Sequence, residues 1–286
     1  MRIILSTIAT LIVIGILILT ARIWGLGQNY PEYQSPFFAG ETPLIIVKAD
    51  TLAKVEETVK LKSNAVIWLD VRVSQGKVPF ILSPSRDSEF LKFKEVQQQA
   101  NPTTHIMLGG KLSDYTWEQI NEFYKNTPSL KELYEKFPTT RFVLNVVDNV
   151  AEVHNAVVNA IQDFHPDERT LIQSDALVIL QAIKELKPVW VYGTSTPDLM
   201  RLLSFDSLYI LSATQYKGDV FIAPFRIMKR DAFNEDILIE MRRRHKRIYL
   251  GPVENLDQLK TAVNAKADGF ITENLPQLLK LQSELK

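Results

Sequence analysis

The sequence predicts an α/β protein, a (β/α)₈ TIM barrel preceded by an N-terminal transmembrane helix. Short, continuously apolar runs alternate with amphipathic helical patterns, which is typical of parallel strands covered by helices. About eight such units follow residue 42, a number and length that suit a (β/α)₈ barrel. No GxGxxG or GK[ST] phosphate loop follows an apolar run, so a doubly wound nucleotide-binding sheet lacks its motif.

The first predicted element is the transmembrane helix. Residues 3–21 carry no charge and lie between Arg2 and Arg22. As a helix they would extend about 28 Å, close to the bilayer core of about 30 Å. A cleaved signal peptide is the alternative, and it would leave a secreted protein. Its apolar core is usually shorter, about 7 to 15 residues, and residues 19–21 (LTA) fit a cleavage site poorly.

We therefore predict an uncleaved membrane anchor at residues 1–24. Positive charge before the helix weakly favours a cytoplasmic N-terminus, which would place the barrel outside the cytoplasm. Residues 25–41 are rich in Pro, Gly and aromatic side chains without apolar periodicity, and we expect a linker there. The barrel is predicted at residues 42–286.

The first half of the barrel begins with the apolar run at residues 43–47 (PLIIV). Leu52, Val55 and Val59 then recur at helical spacing, followed by apolar runs on either side of a turn at Gly76. In order, this half predicts a strand at 43–47, a helix at 51–62, strands at 65–71 and 78–82, helices at 116–124 and 129–137, and a strand at 141–147.

The second half repeats the alternation with shorter apolar runs. The runs are rich in Val, Ile and Leu, and most are separated by patterns of helical period. Strands are predicted at 171–172, 189–192, 208–211, 220–223, 247–250 and 269–272, and helices at 151–161, 176–186, 233–244 and 256–264.

Composition excludes several classes of protein. A hydrophobic content of 46% excludes a structureless chain, and the absence of Cys excludes disulfide and thiolate-metal frameworks. With 33 basic and 33 acidic side chains, the formal net charge is zero, so we expect no nucleic-acid partner. The one basic run, residues 242–247, ends a predicted helix before a strand. It is interpreted either as a solvated helix terminus or as a patch for anionic headgroups.

Chemistry in a TIM barrel takes place where the strands end at their C-termini. The side chains predicted at those positions are Lys48, Asp50, Trp68, Asp70, Ser83, Asn145, Asp148, Gln173, Ser174, Tyr192, Thr194, Arg226, Glu254 and Glu273. The four histidines, His105, His154, His165 and His245, fall in predicted loops or helices.

Several stretches resemble the glycerophosphodiester phosphodiesterase family. They include residues 67–73 (IWLDVRV) before the Gly76 turn, the helix led by Thr116 with residues 128–130 (PSL) after it, and residues 267–272 (ADGFIT). The resemblance extends from about residue 43 to residue 281. It implies a TIM barrel that hydrolyses glycerophosphodiesters to an alcohol and glycerol 3-phosphate, with a carboxylate-held divalent metal and two histidines as acid and base.

The motif positions of that family carry different residues here. The His-Arg-Gly of the first strand falls on Lys48, Ala49 and Asp50, and the Glu-x-Asp of the second on Trp68 and Asp70. The next His-Asp falls on Ser83 and Pro84, and the later Glu-x-Lys on Val146 and Asp148. Only Asp70 is kept. Neither Lys48 nor an unactivated Ser83 replaces a histidine that titrates near neutral pH.

Two interpretations of the remaining charges are open. Lys48 could lie between Asp70 and Asp148, where its ammonium would replace a metal. Alternatively, Lys48 faces solvent and each aspartate caps a loop. No cofactor is expected, although Mg²⁺ or Ca²⁺ held by Asp70 and Asp148 would be needed if the chain is active.

The function predicted from sequence is a membrane-anchored, extracytoplasmic protein that has lost catalysis and acts in binding or regulation. Its expected ligand is a glycerophosphodiester or another phosphorylated small molecule, and a protein partner is also compatible with this role. The residues expected to bind the ligand are Lys48, Asp70, Asp148, Tyr192, Thr194 and Arg226. The alternative is a divergent metal-dependent phosphodiesterase.

Overall fold

The computed structural model describes residues 2–100, 111–125 and 127–285. Eight parallel strands form one sheet in the order β6-β5-β4-β2-β1-β11-β10-β7, and β3 pairs antiparallel with β2. The strands are β1 Leu44–Lys48, β2 Val66–Val73, β3 Pro79–Ile81, β4 Arg141–Val146, β5 Thr170–Gln173, β6 Val191–Tyr192, β7 Val220–Ala223, β8 Arg226–Ile227, β9 Arg230–Asp231, β10 Arg247–Leu250 and β11 Gly269–Thr272.

The helices, apart from the first, follow most of the parallel strands and cover the sheet, whereas the first precedes the barrel. They are α1 Arg2–Leu26, α2 Leu52–Leu61, α3 Asp87–Ala100, α4 Trp117–Tyr124, α5 Leu130–Lys136, α6 Val153–Ile161, α7 Pro166–Arg169, α8 Leu177–Leu186, α9 Thr196–Ser207, α10 Glu235–Arg243, α11 Leu256–Asn264 and α12 Leu275–Leu285. This arrangement is a nearly closed (β/α)₈ barrel, so the predicted fold class is confirmed.

Side chains and a loop backbone close the barrel between β6 and β7. The Asp219 amide donates to the Tyr192 carbonyl at 2.7 Å, and the Tyr192 amide donates to Asp219 Oδ2 at 3.1 Å. The Ile222 amide donates to Thr194 Oγ1 at 2.7 Å. We call this boundary the β6–β7 junction.

Local sequence explains where several helices begin. The side chains of Thr116 and Ser129 each accept a hydrogen bond from the backbone amide three residues later. The side chains of Gln119 and Glu132 accept one in turn from the backbone amides of Thr116 and Ser129, which completes a capping box. Asn234 caps α10 by accepting from the Ile237 amide. These caps fix the helix starts close to the predicted positions.

The strand predicted at residues 208–211 is wrong. Leu208 instead follows the end of α9, and Leu211–Ala213 is a short 3-10 helix. Tyr209 has a positive φ of 58°, which interrupts an extended strand. Leu208 and Tyr209 are also exposed, whereas a barrel strand would bury them.

The core has two layers because strand side chains alternate between the barrel interior and the helix side. The interior layer consists of Phe37, Leu44, Ile46, Val66, Trp68, Val143, Leu171, Val191, Val220, Ile222, Tyr249 and Ile271. The outer layer packs the other strand face against the helices. We call the end of the barrel at the strand C-termini the mouth, and the opposite end the basal face.

Residues 30–40, which we call the basal segment, cross the basal face. Phe37 is fully buried in the interior layer. Arg141 donates to the carbonyl oxygens of Phe37 and Ala39, at 2.9 and 2.6 Å. Tyr33 donates its hydroxyl to the Val189 carbonyl at 2.9 Å. Much of the predicted linker is thus packed against the barrel.

Before the basal segment, α1 forms a helix of 25 residues. Residues Ile3–Leu26 are long and apolar enough to cross a membrane, a test that an N-terminal signal sequence would also pass. At 1.5 Å per residue the helix is about 37 Å long, which exceeds a bilayer core of about 30 Å.

Candidate binding site at the barrel mouth

Aligned strand ends bring four predicted residues together at the mouth. Lys48 pairs in register with Trp68, and Asp70 with Asn145. All four follow the inward alternation of their strands. Trp68 Nε1 donates to Asp70 Oδ1 at 3.1 Å, and Asn145 Nδ2 donates to the same oxygen at 2.7 Å. The Asp70 carboxylate is therefore held by an indole and a carboxamide.

Lys48 does not bridge Asp70 and Asp148. Its Nζ lies 3.7 Å from Glu273 Oε1 and 5.6 Å from the centre of the Trp68 ring. Glu273 follows β11, which pairs with β1 on the side away from β2. The hypothesis that Lys48 is the bridging cation is wrong, because the strand order gives it a carboxylate on the opposite side.

Arg72 is the cation that Asp148 contacts. Its guanidinium donates to Asp148 Oδ1 at 2.5 Å and also pairs with Asp87. The second Asp148 oxygen accepts the Val73 amide at 2.9 Å. Burial raises the pKa of the Asp87 carboxyl, Arg72 lowers it through its charge and its hydrogen bond, and the Asp148 and Asp70 carboxylates raise it, so that the net shift is upward. The buried Arg72 guanidinium thus forms ion pairs with two carboxylates.

Val146 does not face the interior. It belongs to the outer layer, whereas Asn145 faces inward beside Asp70. The motif position that the resemblance places on Val146 therefore lies outside the interior, and Asn145 occupies the inward position, because side chains alternate along β4. The sequence does not distinguish the two faces of this strand, because residues 142–144 and 146–147 are all apolar.

Tyr192 and Arg226 lie outside the site. Tyr192 packs in the outer layer and donates its hydroxyl to the Lys187 carbonyl at 2.6 Å. Arg226 lies in the β8–β9 hairpin and donates to the Lys229 carbonyl at 2.6 Å. Neither residue lines a cavity at the mouth. Both residues lie at or after strand C-termini, at the mouth end of the barrel, but position along a strand does not by itself give the direction of a side chain.

Ala49, Ser83 and Thr194 have mainly structural contacts. Ala49 is buried in the outer layer, although it borders the mouth. Ser83 Oγ lies 2.9 Å from Ser85 Oγ. Thr194 lines the mouth, but its hydroxyl already accepts the Ile222 amide at the β6–β7 junction.

Two adjoining cavities open at the mouth and share Lys48, Trp68 and Asn145. One, of about 380 Å³, is bordered by charged residues including Asp50, Asp70 and Glu273. The other, of about 360 Å³, is bordered by the carboxamides and hydroxyls that follow β4, β5 and β6. Cavities of about 300 Å³ and above are the size of small-molecule sites.

Gln173 and Gly193 lie against each other at the site, a contact that the sequence did not predict. The Gln173 Nε2 donates to the Thr194 carbonyl at 2.7 Å, so its carboxamide lies across β6. A Cβ on Gly193 would lie 2.0 Å from Gln173 Oε1. Only glycine leaves room for this carboxamide, and the GTS sequence after β6 was the available signal.

The described residues do not fit a divalent metal. They contain no group of three His, Cys, Asp or Glu side chains that could hold one. Asp70 accepts from two neutral donors, and both oxygens of Asp148 are bonded within the protein. Mg²⁺ and Ca²⁺ require several oxygen ligands, so these two aspartates do not make a site.

The histidines give no acid–base group at the mouth in the described part of the chain. His154, His165 and His245 border neither cavity. His105 lies outside the described residues. The groups that do meet at the mouth are an ammonium, carboxylates, amides, hydroxyls and an indole, which suit binding rather than proton transfer at neutral pH.

Solved structures of known proteins share this architecture. The glycerophosphoryl diester phosphodiesterase domain of a Mycobacterium tuberculosis protein superposes with a TM-score of 0.63 at 15% identity, covering 85% of this chain and 100% of that domain. The glycerophosphodiester phosphodiesterase of Thermotoga maritima gives a TM-score of 0.57 at 14% identity, with coverages of 85% and 100%. The chain has the fold of the glycerophosphodiester phosphodiesterases.

A third structure with this fold contains a ligand. It is an Oleispira antarctica phosphodiesterase in complex with the product sn-glycerol-3-phosphate, and it superposes with a TM-score of 0.58 at 14% identity, covering 85% of this chain and 97% of that one. No family model and no curated protein sequence matches this chain. The likeness to glycerophosphodiester phosphodiesterases therefore lies in the fold.

Proposed function

We propose that the protein is a membrane-anchored binding protein with the glycerophosphodiester phosphodiesterase fold that does not hydrolyse its ligand. The observation that carries this proposal is the environment of Asp70. Its oxygen accepts from Trp68 and Asn145, which occupy the inward positions where carboxylates would be needed for a metal. Among the described residues there is neither a group that fits a metal nor a histidine beside the cavities, and the hydrolytic mechanism implied by the sequence resemblance needs both.

The proposed ligand is a glycerophosphodiester or another phosphorylated small molecule. Lys48 supports this choice because its ammonium borders both cavities and its side chain is 32% exposed. In the 360 Å³ cavity, Lys48 is accompanied by the Asn145 carboxamide and the Ser195 and Thr196 hydroxyls, and these groups can bind a phosphate through charge-assisted hydrogen bonds. The Oleispira antarctica phosphodiesterase, which has this fold, binds glycerol 3-phosphate, and this supports the proposal of a ligand of similar size and charge.

The proposed location is the outer surface of a membrane. An uncleaved α1 would act as a single-pass anchor with its N-terminus in the cytoplasm. The length and composition of residues Ile3–Leu26 support a membrane span. A protein partner that senses the bound ligand would make this protein a regulator rather than only a binding protein.

Binding and hydrolysis are separated by one set of measurements on the full-length protein in detergent. Glycerol 3-phosphate and glycerophosphocholine are titrated by calorimetry, and release of glycerol 3-phosphate is followed in Mg²⁺, Ca²⁺ or Mn²⁺. We expect binding without release. Because a hydrogen bond to a charged group contributes about 1.5–3 kcal/mol, Lys48→Met should weaken binding about 10-fold or more.

Lys60→Met is the matched control, since Lys60 is exposed on α2 away from the mouth. It should leave affinity unchanged. Metal-dependent release that is abolished by Asp70→Asn would instead establish the alternative, a divergent phosphodiesterase. Absence of binding to both compounds would overturn the proposed ligand class.

A further inference from the structure

The C-terminal end of α1 is joined to the barrel by a close backbone contact. Gly25 is buried, and a Cβ on it would lie 2.3 Å from the backbone carbon of Ser212. Ser212 Oγ donates to the Arg22 carbonyl at 3.0 Å. Only glycine permits this approach, so the end of the helix is held against the 3-10 helix Leu211–Ala213.

An arginine of α10 fixes the same end of α1. Arg243 donates to the Gly25 carbonyl at 3.2 Å and to the Gln28 carbonyl at 3.1 Å. Its guanidinium is held in turn by two hydrogen bonds to Glu240, at 2.9 and 2.7 Å, and lies 5.2 Å from the Tyr30 ring centre. A cation at the helix C-terminus also interacts favourably with the helix dipole. The junction between α1 and the barrel is thus held by a close backbone contact and by several specific hydrogen bonds.

The rest of α1 extends away from the barrel. Residues 3–17 are exposed throughout, and the helix is partly covered only near its end, at Ile18, Ala21 and Gly25. These three residues are three or four positions apart and share one helix face. A helix that ran alongside the barrel would bury a stripe along its whole length.

The point of attachment belongs to the basal face. The 3-10 helix precedes β7, and Arg243 ends α10 before β10, so both lie where strands begin. After α1, the basal segment crosses the same face, with Tyr33 bonded at the start of β6. Lys48 lies four residues after Leu44 along β1, about 13 Å away at about 3.3 Å per residue.

We propose that the basal face rests against the membrane and that the mouth opens away from it, so the ligand enters from the aqueous phase and is not taken from the surrounding bilayer. This inference rests on the proposed anchor and adds the orientation of the barrel. Since α1 leaves the basal face and does not return along the barrel, a bilayer around α1 meets that face first. The mouth would then bind a water-soluble molecule.

The surface of the basal face fits contact with lipid. Five side chains of this face are exposed and apolar: Leu61, Leu186 and Val189 lie on helix ends or turns just before strands, and Leu208 and Tyr209 lie between α9 and the 3-10 helix Leu211–Ala213. Trp24 is also exposed at the end of α1, where aromatic side chains favour the membrane interface. Arg242, exposed at the end of α10, adds a cation suited to anionic headgroups.

Two matched cysteine variants test the orientation. The chain has no Cys, so a single label can be placed without other changes. Tyr209 on the basal face is 76% exposed and Met228 in the mouth hairpin is 78% exposed, and both have positive φ. Full-length Tyr209→Cys and Met228→Cys are labelled with a fluorophore and placed in nanodiscs that contain lipids with a nitroxide headgroup.

We expect the label at residue 209 to be quenched several-fold more strongly than the label at residue 228. Equal quenching, or stronger quenching at residue 228, would overturn the orientation while leaving the anchor intact. If the protein does not remain with the nanodiscs during size-exclusion chromatography, the anchor itself fails and the orientation with it.

A glycine pair tests whether the junction sets the orientation. Gly25→Ala should reduce the difference between the two labels, because the added methyl collides with the Ser212 backbone. Gly15→Ala is the matched control, since a Cβ there has nothing within 4 Å. Both variants should stay in the nanodiscs. An unchanged difference in Gly25→Ala would show that the junction does not hold the barrel in place.

Discussion

At the scale of single residues, Asp70 and Asp148 were correctly expected at the mouth end of their strands, but their partners were not. One of the two interpretations left open by the sequence made Lys48 the shared cation, whereas Arg72 contacts Asp148 and Lys48 contacts Glu273. Glu273 lies 225 positions after Lys48 in the chain and becomes its neighbour only because β1 pairs with β11. Barrel closure of this kind leaves no local signal, so the partner of Lys48 could not be predicted.

Arg72 should be far more important for stability than Lys48. Arg72→Met would leave the Asp148 and Asp87 carboxylates without their cation, and breaking a buried ion pair costs about 3–5 kcal/mol. Lys48→Met removes a partly exposed pair, which is worth about 1 kcal/mol or less. Urea unfolding followed by circular dichroism measures both free energies of unfolding. Equal losses in the two variants would contradict the buried network.

At the scale of elements, α10 shows how one helix organises its surroundings. Glu240 is buried and accepts from Arg243 and Arg244, and Arg244 donates to the Thr214 carbonyl at 2.6 Å. Burial alone would raise the pKa of Glu240, but the hydrogen bonds from Arg243 and Arg244 and the attraction of their charges together outweigh it, so its pKa lies below the usual 4.5. The carboxylate thus fixes both arginines only in its charged form.

This shift predicts an acid-sensitive barrel. Since the folded pKa of Glu240 is lowered, its contribution to stability is complete above the unfolded value of 4.5 and is lost as the pH falls through the folded value. Glu240→Gln should therefore be less stable at neutral pH and lose less stability on acidification. Thermal unfolding across this pH range measures the effect, and Glu235→Gln, exposed at the start of α10, serves as the control. Parallel pH curves for Glu240→Gln and the wild type would refute it.

Elements were predictable where apolar runs and helical periods were long. The strands β1, β2, β4, β7, β10 and β11 lie within two residues of their predicted bounds. The strand prediction at residues 208–211 was wrong because a four-residue apolar stretch does not distinguish a strand from a helix end followed by a turn. The apolar pattern of this stretch gives no sign that Tyr209 adopts a positive φ.

At the scale of the whole molecule, the barrel could be predicted from the sequence but its basal closure could not. Residues 25–41 have no periodicity, and the deep burial of Phe37 depends on contacts with several strands at once. A segment without apolar periodicity, in which Phe37 lies in the short 3-10 helix Pro36–Phe38, can still complete a core when one large side chain fills an opening. The predicted boundary at residue 42 therefore separates residues that pack together.

A chain that begins at Thr42 should be markedly less stable than one that begins at Gln28. Loss of a buried Phe side chain costs about 3–5 kcal/mol. At about 2–4 °C per kcal/mol, Tm should fall by roughly 10 °C. Differential scanning calorimetry of the two chains, with Phe37→Ala in the longer one, checks this. Equal Tm values for all three would mean that Phe37 does not complete the core.

The β6–β7 junction has a further consequence for how the molecule responds to its ligand. Two of its hydrogen bonds end on the side chains of Asp219 and Thr194, so each persists only while one rotamer is held. Lateral opening of the barrel should begin there, and hydrogen–deuterium exchange should be fastest at these strand amides. The 360 Å³ cavity is bordered by Thr194 on one side of the junction and by Ile222 on the other. A bound molecule that contacts both sides would slow that exchange by adding a cross-strand link beside the backbone hydrogen bond from Asp219 to Tyr192.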